Sequence, residues 1–81
     1  MNQESLTTQV QKKLQAKFNS PKDFIEFGSP RGDNRHFVLE IHSESFRGLS
    51  RLQRHQMVYG LLDDLIQTGK IHALQLKLKE L

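Results

Sequence analysis

The chain has 81 residues, 36% of them hydrophobic and 26% charged, with a formal net charge of +3. That length argues for a single domain, 1–81 with a core of about 5–79, and it carries enough Leu, Ile, Val and Phe to exclude wholesale disorder. Cys is absent, so the fold cannot lean on disulfides and the chain alone cannot build a thiolate metal site.

Leu6, Val10, Leu14 and Phe18 recur every four residues and form one stripe of a helix, with Lys12, Lys13 and Lys17 largely off it. The residue before Pro21 is pushed out of the α region, so this helix is expected from about Ser5 to Phe18. The opening MNQESLTTQVQKK has no apolar run after a basic start and does not read as a secretory signal. No stretch approaches the ~20 apolar residues that span a bilayer. A soluble cytoplasmic protein with no membrane partner is expected.

"DFIEF" favours a strand, closed by Gly28-Ser29-Pro30, and "SPRGDN" reads as a hairpin loop. "HFVLEIHS" alternates with period two. Phe37, Leu39 and Ile41 face the core; His36, Val38, Glu40 and His42 face the other way, with His42 expected in solvent. Ser43–Arg47 is expected to form a helical turn, making a helix–turn–helix corner at Gly48. Ser50 and Gln53 have the form of a capping box opening the longest helix. Leu52, Val58, Leu61, Leu62 and Leu65 follow helical spacing in it, and Gly69 suits its C-terminal end. "IHALQLKLKEL" alternates as a final strand, with His72, Leu74, Leu76 and Leu78 on one face.

The order is α-β-β-α-α-β. It predicts an α+β domain, a three-stranded mixed sheet packed by helices. A hairpin joins the first two strands, and a helical crossover suits parallel pairing of the last two.

No catalytic arrangement stands out. Asp63 and Asp64 are adjacent on a helix and point in different directions. Arg47, Arg51 and Arg54 form a basic corner that can contact phosphates or an acidic partner surface, or remain a solvated helix start. His55, on the edge of the apolar stripe, reads as structural, bonding the preceding loop. His72 by its place alone reads as a rim histidine bonded to a backbone carbonyl, or as a ring that keeps one nitrogen outward for a metal.

Two segments together, "FRGLSRLQRHQMVY" (Phe46, Gly48, Leu49, Gln53, Arg54, His55, Val58, Tyr59) and "IHAL" (Ile71 to Leu74), resemble the BolA family. The resemblance covers Phe37 through Leu78. It implies a KH-like fold of the second type without the G-x-x-G loop that clamps nucleic acid, and Gly48-Leu49-Ser50-Arg51 agrees. It also implies a non-enzymatic adaptor whose partner is a monothiol glutaredoxin. The pair would share a two-iron two-sulfur cluster, with glutaredoxin and glutathione giving thiolates and this chain giving imidazole.

By the same resemblance His72 is the metal ligand. The second ligand of some relatives, a Cys or His in the first hairpin loop, has no counterpart in Ser29–Asn34. Asp33 falls near that position and is a hard ligand, poorly suited to a cluster. His36, just after the loop, is the candidate second ligand or a solvated strand residue. The alternative function is a DNA-binding regulator using Arg47, Arg51 and Arg54. Weak self-association as a homodimer is the remaining partner option.

Overall fold

The computed structural model describes residues 5–33 and 35–81. Asn34, the last residue of the expected hairpin loop, lies outside the described residues, as does the start of the chain through residue 4. The elements are α1 (Leu6–Gln15), β1 (Phe24–Gly28), β2 (His36–Ser43), a single 3-10 turn (Glu44–Phe46), α2 (Arg51–Gln67) and β3 (Ala73–Glu80). The sheet runs in the order β1-β2-β3. β1 and β2 are antiparallel, β2 and β3 parallel, so the mixed sheet follows from one hairpin and one helical crossover.

Alternation along β2 decides which side of the sheet is covered. Phe37, Leu39 and Ile41 are buried, and His36, Val38, Glu40 and His42 are not. Val10 and Leu14 of α1 and Val58, Leu62 and Leu65 of α2 complete the core with Phe18, Phe46 and Ile71. A hydrogen-bonded ion pair joins the two helices at their exposed edge, Lys13 Nζ to Asp64 Oδ2 at 2.6 Å. Hydrogen bonding from Lys13 holds the Asp64 carboxyl below its ordinary pKa.

Several boundaries differ from the sequence expectations. α1 stops at Gln15, three residues early, and the amides of Lys17 and Phe18 both return to the Leu14 carbonyl. Phe18 therefore reaches the core from a turn, where its ring lies 5.1 Å from that of Phe46. The helical turn before Gly48 is one 3-10 turn of three residues, and Arg47 is extended. Gly48, at φ 79°, makes the reversal that a side chain would strain.

Leu52 is 67% exposed instead of buried. At 3.6 residues per turn it sits about 120° around α2 from Val58, off the buried stripe. His42 is not free in solvent. Its ring lies 5.2 Å from Phe24, and its Nε2 is 2.7 Å from Glu40 Oε2.

The capping box is present in both directions. Gln53 N–H donates to Ser50 Oγ at 3.1 Å, and Ser50 N–H donates to Gln53 Oε1 at 2.9 Å. At the other end Gly69, φ 78°, donates to the Ile66 carbonyl, and Ile71 N–H donates to the Leu65 carbonyl at 3.1 Å. The chain is thereby drawn back over the helix end, and Ile71 is buried.

Ser50→Ala removes one cap acceptor and should lower stability by about 1 kcal/mol, or roughly 5 °C in Tm. Leu52→Ala should change stability by less than about 0.5 kcal/mol. Urea and thermal unfolding of the two variants check the contrast. A larger loss at Leu52 than at Ser50 would mean that Leu52 packs inward.

Candidate functional site at one end of the sheet

The parallel register places His36 opposite Ala73 and Phe37 opposite Leu74. His72 thus precedes β3 beside the hairpin loop that precedes β2. Three hydrogen bonds fix the chain around it. Ile71 N–H donates to Leu65 O, Ala73 N–H donates to Arg35 O at 3.0 Å, and Tyr59 Oη donates to Leu74 O at 3.3 Å. His72 itself is exposed, and among the described residues its imidazole has no hydrogen-bond partner. The expected place at the core rim is taken by Ile71. β3 begins one residue after His72, so His72 does not share the half-buried face of Leu74, Leu76 and Leu78.

The loop before β2 is organised by Asp33. Its Oδ1 accepts the backbone amides of Arg35 and His36 at 2.9 and 3.0 Å, and its Oδ2 lies 2.6 Å from His36 Nδ1. The His36 amide, the His36 ring and the Arg35 amide together hold the Asp33 carboxyl well below the usual carboxylate range. An ionised carboxylate only accepts, so Nδ1 carries the ring proton and Nε2 is left for other contacts. His36 lines a cleft of about 350 Å³ with Arg31, and His72 is not part of that lining. The backbone thus brings the two histidines to neighbouring strands at one end of the sheet.

The other candidate residues divide by what holds them. Arg54 is only partly exposed. Its Nε donates to Leu49 O at 3.0 Å, its Nη2 lies 3.4 Å from Glu80 Oε2, and its guanidinium stands 5.9 Å from the Phe46 ring centroid. Arg47 donates to Leu81 O at 3.0 Å and pairs with Glu80 Oε1 at 3.7 Å. Arg51 is exposed and, among the described residues, has no side-chain partner. The basic corner is therefore one outward cation and two that fasten β3, Arg54 to the start of α2 and Arg47 to the turn before it. His55 bonds within its own helix, Nδ1 to the Arg51 carbonyl at 2.8 Å, not to the preceding loop. Asp63 pairs with Gln67 and Asp64 with Lys13, in different directions as expected.

Sequence reasoning passed over Tyr59 and Leu52 as site residues. Both are exposed on one side of α2, Tyr59 at 39%, and the Tyr59 hydroxyl reaches the strand that begins just after His72. Their i, i+7 spacing, off the buried stripe, was the available signal. Among the described residues no three His, Asp or Glu side chains gather into a metal-binding group.

Asp33 sets an acid dependence. Its folded pKa is depressed, so its stabilising interactions are complete above about pH 4, the unfolded value, and are lost as pH falls through the folded value. Asp33→Asn should be less stable than wild type at about pH 6 and should lose less further stability on acidification to about pH 3. Urea midpoints at the two pH values check this, and parallel losses in both proteins would contradict it.

Comparison with known proteins agrees with this architecture. The sequence matches the family described as BolA-like protein over residues 6–80. It is 51% identical over 49 residues to the UV-induced protein uvi31 of Schizosaccharomyces pombe, a stretch covering 60% of this chain and 47% of that protein. Matches to the curated relatives span about half of those proteins' length. Among solved structures, BolA1 from Arabidopsis thaliana superposes with a TM-score of 0.77 at 32% identity, covering 96% of this chain and 94% of that one. The BolA domain of SufE1 from the same plant gives 0.75 at 29% identity, covering 98% and 95%. With the family match running through every element from α1 to β3, the chain belongs to the BolA-like family.

Proposed function

We propose that this chain is a non-enzymatic adaptor that docks a monothiol glutaredoxin at the His72 end of the sheet. There it contributes an imidazole to a two-iron two-sulfur cluster held otherwise by the partner and glutathione. The single observation that carries the reading is the exposed His72 imidazole on a backbone fixed from three sides. A ligand that must meet a metal held by another polypeptide needs this accessibility and this fixed position.

A shared site suits the donor set. The chain has no Cys, and both Asp33 oxygens are engaged within the loop. The soft ligands of a cluster must then come from elsewhere. When bound, the cluster would supply electron-transfer or sulfur-transfer chemistry, and this chain's part is to hold and orient. Exposed Tyr59 beside the same end offers apolar area for a partner. The relation to a BolA domain within SufE1 supports an iron–sulfur context. Internal pairing of Arg47 and Arg54 favours this reading over duplex DNA as the partner.

Mixing the chain with a monothiol glutaredoxin, iron, sulfide and glutathione should give a heterodimer whose visible absorption differs from that of the glutaredoxin alone. His72→Ala should abolish the difference, and His36→Ala should keep it. An unchanged spectrum with His72→Ala would overturn the ligand assignment.

A further inference from the structure

The cleft beside His36 has a different chemistry from the His72 end, and it stands independently of the glutaredoxin reading. Its volume, about 350 Å³, is that of a small-molecule site, which typically spans roughly 300–1,000 Å³. Pro30, Val38 and Ala73 give it apolar walls; Arg31, His36 and Gln75 give it polar groups. Among the described residues, the side chains of Arg31 and Gln75 and the Nε2 of His36 have no internal partner. Unpaired polar groups along an apolar cleft are how small ligands are oriented.

The charges select the ligand. Arg31 is a fixed cation, which disfavours a metal ion at His36 Nε2. A carboxylate suits the guanidinium fork and the Gln75 amide. His36, with Nδ1–H committed to Asp33, leaves Nε2 an acceptor, so the carboxylate falls to Arg31 and Gln75. The Asp33 charge is itself occupied by three hydrogen bonds within the loop. Past Pro30 and Val38 the adjoining groove carries Glu26 and Glu40 with Lys77, so a second anionic group on the ligand would meet like charge. We propose that the cleft between the β1–β2 loop and the start of β3 binds a monocarboxylate with a short apolar body, its carboxylate on Arg31 and Gln75 and its body on Pro30, Val38 and Ala73.

The test is a titration of the isotope-labelled full chain followed through its amide resonances. Pentanoate should shift the amides of Arg31, His36, Ala73 and Gln75 with a midpoint of about a millimolar, as a ligand of its size allows. Pentanamide, equal in shape and uncharged, should bind at least about tenfold more weakly, as should pentanedioate with its second carboxylate. Arg31→Ala should weaken pentanoate about tenfold, whereas Lys79→Ala, which removes the same charge from β3 away from the cleft, should stay within about twofold. Pentanamide or inorganic phosphate binding as well as pentanoate would overturn the proposal. So would equal losses in Arg31→Ala and Lys79→Ala, or shifts centred elsewhere. The amide spectrum of each variant without ligand shows that it has folded.

Discussion

Parallel pairing of β2 with β3 is the constraint on which the rest of the molecule depends. Parallel neighbours cannot be joined by a tight turn, so the chain must leave the far end of β2 and return to its beginning. The 3-10 turn and the seventeen residues of α2 make that return. Because the strands are parallel, their starts lie side by side, and Ala73 meets His36. Everything chemically notable at this end follows: an exposed imidazole before one strand, a carboxylate-anchored imidazole opening the other, and a cleft under the loop between β1 and β2.

The start of α2 explains why a helix that buries Val58, Leu62 and Leu65 opens with cationic groups. Its first turn overhangs the core edge instead of entering it. Arg54 points along the buried side, yet its guanidinium lies over the Phe46 ring and bonds the Leu49 carbonyl, so its stem covers apolar surface while its charge finds Glu80. Arg47 reaches the same carboxylate from the turn, and Leu81 N–H returns to the Ser43 carbonyl. The last strand is thereby held at its end as well as along its length. Partly exposed ion pairs of this kind contribute little singly, and their effect here is to fix a geometry.

Elements whose local chemistry agrees with their tertiary setting were legible in the sequence. The alternation of β2, the capping box at Ser50 and Gln53 and the glycine after Thr68 each state a structure without reference to distant residues. The end of α1 was not legible. A four-residue apolar rhythm continues to Phe18 whether that residue is helical or turns in beneath Phe46. Leu52 was misplaced for a related reason, since it matches an apolar list but not the angular stripe. The candidate site was legible as residue types but not as relations. Nothing local to Tyr59 announces its bond to Leu74, fifteen residues away. Arg47, Arg51 and Arg54 read as one corner because sequence shows charges and not the Glu80 that occupies two of them.

Asp33 shows how one side chain divides the work of two neighbouring histidines. A soft ligand in that loop would make the hairpin part of a metal site. A carboxylate has instead two amides and an imidazole close by as donors, and each strengthens the case for its charged form. Once committed in this way it organises the turn, fixes which nitrogen of His36 bears the proton, and leaves that ring facing a cleft that already holds a guanidinium. His72, one strand away, has no such anchor on its ring and no cation lining the same cleft. Its backbone is set by hydrogen bonds on either side, while among the described residues both ring nitrogens stay open. Two residues of the same type at the same end of one sheet thus acquire different chemistry from what holds them: a carboxylate through the ring in one case, the strand itself in the other.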